Sequence, residues 1–322
     1  MIPNLERAVI EVVGSCNYSC QMCPQTTGRD KEFLTKMPLD LFEKILEQLP
    51  GNPVINLEGS GEPTLAKDLS RYVEACTKRD LKSYMYCNGS RLNGKFMRDV
   101  IDAGLSLVRF SCIGYNAEKY KEWMSEDNFE LIKSNVKETI SYIKETGSDC
   151  KVASYHLILD DNNIEEEIEL YRENFIELVG TTGYIWKMHN WSGNYEPVYV
   201  RKNSDVRETC GRPFAPEITV RAGGIDGKHG AVTSCCQTLG PPNEKKSVLG
   251  HLEDSTLEEI WNGAKYDELR DAHTTRQFDK VDYCKSCDFL NGDKTVLAWS
   301  NDNGATDNHM LGTNFSLSEY KI

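Results

Sequence analysis

The chain has 322 residues, of which 39% are hydrophobic and 27% are charged. This composition is typical of a soluble globular protein of about two domains, and it excludes a disordered chain, a collagen and a coiled-coil rod. Lys and Arg together number 37 and Asp and Glu number 50, which gives a net charge of −13. Because binding along a phosphate backbone needs clustered cations, we expect no nucleic-acid partner.

The sequence has no apolar run of about 18 residues, so it predicts no membrane-spanning helix. Its first residues lead directly into an apolar strand and lack the pattern of a secretory signal. We therefore expect a cytoplasmic protein without a membrane partner. Twelve cysteines are many for a reducing compartment, where they indicate metal binding or catalysis rather than disulfides.

Strand and helix patterns alternate through the first two-thirds of the chain. The predicted strands cover residues 8–13, 54–58, 83–87, 107–111, 151–159 and 184–188. The predicted helices between them cover residues 39–49, 65–76, 92–101, 129–143 and 164–178. This alternation predicts an α/β fold of parallel βαβ units, and six units favour a partial (β/α)6 TIM-like barrel. Ligands of such a fold bind at the carboxyl ends of the strands.

The alternation stops near residue 192, and this change sets the predicted domain boundaries. Residues 1–191 form the partial barrel, 192–209 a polar linker, 210–290 a small C-terminal domain and 291–322 a polar tail. The C-terminal domain is predicted to contain a short hairpin of residues 217–220 and 231–234 and a helix of residues 257–269. Trp299 and Phe315 are the apolar anchors of the tail, which packs on the surface or covers a site.

Three cysteines follow the first predicted strand in the pattern Cys16-x3-Cys20-x2-Cys23. Three thiolates on one short loop can bind three corners of one small object. A [4Fe–4S] cluster is normally held by four cysteines, so three would leave one iron open for another ligand. The alternative is a zinc site that takes its fourth ligand from a distant residue.

This cysteine motif resembles the defining motif of the radical S-adenosylmethionine (radical SAM) enzymes. The resemblance implies that the open iron binds the amino and carboxylate groups of S-adenosylmethionine (SAM). Reductive cleavage of SAM then yields a 5′-deoxyadenosyl radical, which abstracts a hydrogen from the substrate. An external reductant such as a flavodoxin or ferredoxin is implied as a partner.

The segment after the second strand extends the resemblance. Gly59, Ser60, Gly61 and Glu62 stand before a proline, as in the family's Gly-Gly-Glu-Pro motif, with Ser60 in the place of a glycine. Glycines allow close backbone approach and a carboxylate suits an ammonium group, so these residues are expected to hold the methionine part of SAM. The alternative is an ordinary strand-to-helix turn.

Three single residues are also assigned to SAM by the resemblance. Met22 precedes the third cysteine and is expected at the adenine, Ser111 ends the fourth strand and is expected at the ribose, and Asn88 follows the third strand near the cofactor. Simple turn polarity is the alternative for Asn88 and Ser111.

The C-terminal cysteines resemble the auxiliary-cluster domain of radical SAM enzymes, called SPASM in its full form and twitch in its short form. The resemblance implies a second [4Fe–4S] cluster held by four cysteines, namely Cys210, Cys235, Cys284 and Cys287. Neighbouring strand residues face opposite ways, so only one of Cys235 and Cys236 is expected to bind, and the spacing from Gly230 favours Cys235. A four-cysteine zinc ribbon is the alternative.

Further candidates lie near the predicted strand ends. Cys87 and Cys112 are candidate catalytic thiols, because family epimerases use a cysteine to return a hydrogen to the substrate radical; the alternative is a small buried hydrophobe. His189 to Trp191 follow the sixth strand and either line the substrate pocket or form an ordinary loop. Arg109 and His156 lie within strands, where a polar side chain can face the barrel interior.

Three functions are compatible with these motifs. The favoured one is a radical SAM oxidoreductase that dehydrogenates a small molecule of the alcohol or aminocyclitol type, with the auxiliary cluster as electron acceptor. The second is a peptide-modifying maturase that forms a crosslink or epimerises a residue. Many maturases carry an N-terminal leader-binding domain, and the start of this sequence at the first predicted strand makes that function less expected without excluding it. The third is a non-catalytic metal-binding or electron-transfer protein.

Overall fold

A computed structural model of the chain describes residues 2–26, 28–158, 163–195, 207–290 and 296–305. In these residues the strands are β1 (Arg7–Ile10), β2 (Val54–Leu57), β3 (Ser83–Cys87), β4 (Leu107–Ser111), β5 (Lys151–Ile158), β6 (Thr182–Lys187), β7 (Glu217–Arg221), β8 (Ala231–Thr233), β9 (Val248–His251) and β10 (Leu297–Ser300). The helices are α1 (Leu39–Gln48), α2 (Leu69–Thr77), α3 (Gly94–Asp102), α4 (Ala117–Met124), α5 (Phe129–Thr146), α6 (Ile164–Tyr171), α7 (Asn243–Lys246), α8 (Leu257–Trp261), α9 (Ala264–Thr274) and α10 (Asp282–Lys285).

All of these strands belong to one sheet with the order β10-β6-β5-β4-β3-β2-β1-β7-β8-β9. Strands β1 to β6 are parallel to their neighbours, and β7 is parallel to β1 on the other side. Strands β8 and β9 continue that side antiparallel, and β10 is antiparallel to β6. The sheet ends in two different edge strands and is therefore not closed, which confirms the predicted α/β fold with a partial (β/α)6 barrel.

Helix packing follows from apolar residues at helical spacing. In α1, Phe42 and Ile45 are buried, and the Phe42 ring meets the Tyr72 ring of α2 with 5.1 Å between centroids. Burying each such side chain contributes about 1.5–3 kcal/mol. Pro38 precedes the helix and fits its first turn, while Gly51 has a positive φ beyond its end. The helices therefore cover the outer face of the sheet and hold the strand ends in place.

Alternation along the strands decides which side chains face the interior. In β4, Val108 and Phe110 are fully buried, whereas Arg109 and Ser111 are only partly buried. The two sets point to opposite faces because the side-chain period of a strand is two. Arg109 and Ser111 face the concave side of the sheet, where they line the cavity described below.

Several local predictions differ from the structure. Helix α4 was not predicted, because only Tyr120 and Met124 in its eight residues are buried, which is too weak a pattern. The second helix begins at Leu69 rather than residue 65, since a 3-10 turn (Pro63–Leu65) comes first. The predicted helix 257–269 is two helices, α8 and α9, divided at Gly263. Strand β9 was not predicted either.

The C-terminal part of the chain joins the same sheet through β7. Arg7 of β1 pairs in register with Glu217 of β7, and this parallel pairing continues to Ile10 and Val220. Trp299, a predicted anchor of the tail, lies in β10, whereas Phe315 and most of the predicted linker lie outside the described residues. In the part of the chain that the structure describes, no helix is long and apolar enough to cross a membrane.

Candidate functional site

A cavity of about 300 Å³ lies inside the curve of the sheet, at the carboxyl ends of the parallel strands. This volume lies at the lower end of the range of small-molecule sites in proteins. Every strand from β1 to β6 contributes a side chain to the wall, namely Val9, Asn56, Tyr86, Arg109, Ser111, Tyr155 and Trp186. We call this space the main cavity.

The first three cysteines lie on the loop after β1. Cys16 and Cys20 line the main cavity, and Cys23 is packed behind them, where its backbone N–H donates to the carbonyl of Cys20 at 3.1 Å. Burial raises the pKa of the Cys16 thiol to about 12, and the charges of Glu62 and Cys23 add to this effect. The Cys20 pKa is raised by burial and by the other two cysteines. The three thiols are therefore close enough to influence one another.

Three thiols on one loop are the ligands that a [4Fe–4S] cluster with one open iron would take. A zinc ion needs its ligands around one centre. Each cysteine of a [4Fe–4S] cluster binds a different iron, so its sulfurs stand further apart. Binding of the metal also favours the thiolate that burial alone disfavours.

The glycine-rich segment after β2 passes very close to the cysteine loop. A Cβ on Gly61 would lie 1.9 Å from the carbonyl oxygen of Val13, and one on Gly59 would lie 2.6 Å from the Glu11 side chain. Only glycine fits such contacts without a shift of the backbone. The backbone N–H of Glu62 donates to the Ser15 carbonyl at 2.8 Å, which fixes the segment against the loop.

The Glu62 carboxylate is fully enclosed and lines the main cavity. One of its oxygens accepts from the Thr64 hydroxyl at 2.6 Å, and the other accepts from the Asn88 backbone N–H at 2.7 Å. Burial raises the pKa of Glu62, and these hydrogen bonds oppose the rise. The segment thus places an oriented carboxylate beside Cys16, where an ammonium group would be bound well.

Ser60 departs from the family pattern, and the structure gives it a partner. Its hydroxyl accepts from Arg221 of β7 at 2.7 Å, and its backbone N–H donates to Glu11 at 2.9 Å. Glu11 in turn binds Arg29, whose guanidinium also binds Glu244 of α7 at 2.7 Å. This buried network connects the barrel to the C-terminal part of the chain, and sequence reasoning did not find it.

The remaining predicted site residues fall into two groups. Asn88, Ser111 and Cys87 line the main cavity. Met22 is buried in the core beside it, and its carbonyl accepts from the indole N–H of Trp191 at 2.9 Å. Cys112 is fully buried in the hydrophobic core, where burial raises its pKa well above the usual value.

Of the other candidates from the sequence, some line the main cavity and one does not. His189 and Trp191 line the main cavity, and so does Arg109. His156 is enclosed, with Nδ1 accepting from the Gly114 N–H at 3.0 Å and Nε2 2.8 Å from Glu167. That histidine therefore serves the packing of β5 against α6.

A second cavity lies in the C-terminal part, and the four predicted ligands line it together: Cys210, Cys235, Cys284 and Cys287. Burial raises the pKa of Cys235 to about 11, and neighbouring cysteines contribute to this rise. We call this space the four-cysteine cavity. Its donor set of four thiols matches the ligand set of a [4Fe–4S] cluster.

Cys236 is oriented differently from its neighbour Cys235. It lines the main cavity instead, and its sulfur accepts from Arg212 at 3.2 Å and from Gln237 at 3.4 Å. Arg212 and Gln237 each line both cavities. The two cavities therefore share a wall, which was not foreseen from the sequence.

His273 lies against the four-cysteine cavity, with its Nε2 3.5 Å from the Cys284 sulfur. Its Nδ1 is 2.9 Å from the Thr209 hydroxyl, which already accepts from the Gly211 N–H. Burial lowers the pKa of His273 to about 4, so the ring is neutral near pH 7. The neutral ring carries one proton, and in the tautomer with that proton on Nε2 the Thr209 hydroxyl donates to Nδ1 and Nε2–H faces the Cys284 sulfur.

Comparison with known families agrees with this geometry. Residues 10–173 match the model of the radical SAM superfamily, and residues 227–288 match SPASM, an iron–sulfur cluster-binding domain. The chain belongs to the radical SAM superfamily and has a C-terminal SPASM domain. This membership implies a [4Fe–4S] cluster and SAM as cofactors, with at least one further iron–sulfur cluster in the SPASM domain.

Individual relatives are distant. The chain is 25% identical to a tungsten-containing aldehyde ferredoxin oxidoreductase cofactor-modifying protein of Pyrococcus furiosus, over 51% of this chain and 46% of that protein. It is 20% identical to an S-adenosyl-L-methionine-dependent 2-deoxy-scyllo-inosamine dehydrogenase of Niallia circulans, over 86% of this chain and 90% of that protein. The first match thus spans about half the length of the relative.

Two solved structures share the fold over most of the chain. BtrN in complex with AdoMet and 2-DOIA is 18% identical with a TM-score of 0.59, covering 89% of this chain and 94% of BtrN. Streptococcus suis SuiB bound to the precursor peptide SuiA is 16% identical with a TM-score of 0.63, covering 90% of this chain and 71% of SuiB.

Sequence reasoning missed part of the cavity wall. Glu58, Tyr86, Tyr155 and Trp186 line the main cavity but belong to no motif. Tyr86, Tyr155 and Trp186 lie in β3, β5 and β6. Because side chains alternate between the two faces of a strand, the sequence could have indicated that these three face the cavity. Arg212 and Arg221 had no comparable signal, because their partners are distant in the sequence.

Proposed function

We propose that this protein dehydrogenates a small molecule, using SAM and the two groups of cysteines. The observation that carries this proposal is the wall shared by the main cavity and the four-cysteine cavity. A hydrogen abstraction leaves a substrate radical, and oxidation to a carbonyl requires that one proton and one more electron leave it. An acceptor directly behind the substrate site suits that requirement.

The cofactor contacts are assigned by the positions of the side chains. Cys16, Cys20 and Cys23 would hold the first cluster, and Cys210, Cys235, Cys284 and Cys287 the auxiliary one. Gly59, Ser60, Gly61 and Glu62 would bind the methionine part of SAM, with Asn88 and Ser111 along the rest of it. Met22 is assigned to the cofactor through its backbone alone, because its side chain is packed in the core. When bound, these groups supply hydrogen-atom abstraction and an electron acceptor. We also keep the predicted domain boundaries, with the barrel ending at residue 191 and the auxiliary-cluster domain beginning at residue 210.

The protein's own part is to enclose and orient the substrate. Trp186, Trp191 and Tyr155 form much of the apolar wall, which limits the access of water to a reactive intermediate. Glu62 is held by Thr64 and Asn88 and stays in one orientation. Such fixed groups lose little freedom when the ligands bind.

The match to the inosamine dehydrogenase supports a small substrate. That match covers 86% of this chain and 90% of the dehydrogenase. The SuiB complex with its precursor peptide keeps peptide modification as the second candidate, because the TM-score of that match is 0.63. Cys87 remains the hydrogen-donor candidate for a redox-neutral reaction since it lines the main cavity. Cys112 is fully buried and suits that role less.

The test is product analysis with anaerobically reconstituted enzyme and a reductant such as flavodoxin. Cyclitols, aminocyclitols and sugar derivatives are offered, and 5′-deoxyadenosine and product masses are recorded. Dehydrogenation predicts a carbonyl product two hydrogens lighter than the substrate, lost in C235A and retained in the control C150A. A product of unchanged mass that requires Cys87, or turnover of peptides alone, would contradict the proposal.

A further inference from the structure

Arg109 occupies an unusual position in the main cavity. Its guanidinium carbon lies 3.7 Å from the ring centroid of Tyr86, and 5.3 Å from those of Tyr155 and Trp186. These rings come from β3, β5 and β6, the strands around β4. The three rings surround the cation at distances typical of cation–π contacts.

The other cavity arginines have polar partners, and Arg109 has none among the described residues. Arg212 binds Glu217 at 3.1 Å, Arg221 binds Ser60 at 2.7 Å, and Arg7 lies 3.9 Å from Glu217. Arg109 makes no hydrogen bond or ion pair within the described chain, and its Nε is buried without a partner. A buried donor left unpaired costs free energy, so a ligand that supplies an acceptor is favoured.

The stacked geometry defines what that ligand offers. The hydrogen bonds of a guanidinium lie in its plane, and Arg109 makes none of them within the described chain. The in-plane donors form a fork that matches the two oxygens of a carboxylate or phosphate. Because Arg109 lines the same cavity as Cys16 and Glu62, a group bound there is part of the molecule held in the main cavity.

Glu58 supplies the opposite charge in the same cavity. Its carboxylate accepts one hydrogen bond, from the Asn56 amide at 3.2 Å, and it has no ion pair in the described chain. Burial raises the pKa of Glu58, and the charge of Arg109 opposes this rise. A hydroxyl or ammonium donor would therefore be bound well beside Glu58.

We propose that the substrate carries a carboxylate or phosphate bound by Arg109 and a hydroxyl or ammonium group bound by Glu58. This inference rests on the proposed function only in assuming that the main cavity holds the substrate. It narrows the substrate class to small anionic molecules with further polar groups, such as sugar acids or sugar phosphates.

Binding of simple probes to the reconstituted enzyme tests this class. Glucose 6-phosphate, glucuronate and glucose share a hexose frame and differ in charge, and they are titrated by calorimetry. We expect one or both anionic probes to bind about tenfold or more tightly than glucose, since hydrogen bonds to charged groups are worth that much. The phosphate and carboxylate arms tell the two anions apart.

Variants assign the effect to the two residues. R109M and R109Q are expected to lose the preference for anionic probes, while E58Q weakens binding but keeps that preference. R98M is the matched control, because Arg98 also lies over a tyrosine, Tyr142, but on the exterior. Iron content of each variant is measured in parallel.

Two results would overturn the inference. One is equal binding of glucose and the anionic probes by the wild type, and the other is no difference between the wild type and the Arg109 variants with any probe. A wild-type protein that takes up neither cluster on reconstitution would instead overturn the proposed function. The preference for anionic probes can still be measured in that protein, so the two failures are distinguishable.

Discussion

Cys235 and Cys236 are neighbours in the chain, yet they line different cavities. The strand period of two predicted that they face opposite ways, but both follow the end of β8 at Thr233, so a turn rather than strand alternation separates them. The assignment of Cys235 as the ligand, from its spacing to Gly230, stays a prediction. The surroundings of Cys236, with Arg212 and Gln237 as donors to its sulfur, had no signal in the sequence. Local spacing therefore identifies metal-ligand candidates, whereas their neighbours depend on the folded chain.

His273 gives a prediction at the same scale. Its Nε2 lies 3.5 Å from the sulfur of Cys284, and a hydrogen bond donated by Nε2–H would draw electron density from that ligand and stabilise the reduced cluster. We expect H273F to lower the reduction potential of the auxiliary cluster. The measurement is a spectroelectrochemical titration in a C16A/C20A/C23A background, which leaves only that cluster.

The control for this titration is H229F, because His229 is partly exposed and pairs with Glu253. An unchanged potential in H273F, with iron content retained, would show that the histidine has a packing role alone. A fall in potential in both variants would point to a general effect of losing an imidazole.

At the scale of elements, buried ion pairs connect Glu11, which follows β1, to Arg29, and Arg29 to Glu244 of α7. Burial by itself would raise the pKa of Glu11, but the charges of Arg29 and Arg221 outweigh it and hold that pKa below its usual value. Breaking a buried pair by removing one partner costs about 3–5 kcal/mol. No local pattern in the sequence indicates this network, since Arg29 and Glu244 are 215 residues apart.

The lowered pKa of Glu11 predicts how stability depends on pH. A carboxyl with a depressed pKa stabilises the fold above its unfolded value, and this contribution is lost as pH falls through the folded value. We expect E11Q to lower the thermal midpoint at pH 7 and to shrink the loss between pH 5 and pH 3. E74Q, on the exposed Glu74–Lys78 pair, is the control. An E11Q midpoint that falls with acid as steeply as the wild type would contradict this account.

At the scale of the whole molecule, the alternation of strands and helices predicted the six parallel strands and the open barrel. It could not predict that β7 pairs with β1 and extends the sheet into the C-terminal part, because strand pairing between distant segments has no local signature. Helix α4 was missed for a different reason, namely its few buried residues. The central claim for the molecule is that each cysteine group holds its own cluster on either side of a shared wall.

Counting iron and sulfide per chain after anaerobic reconstitution tests that claim most directly. We predict about eight irons in the wild type, and about four both in C16A/C20A/C23A and in C210A/C235A/C284A/C287A, since each cubane holds four. C236A and C150A should keep all of them. About four irons in the wild type, falling to none in C16A/C20A/C23A, would contradict the claim and favour redox-neutral chemistry.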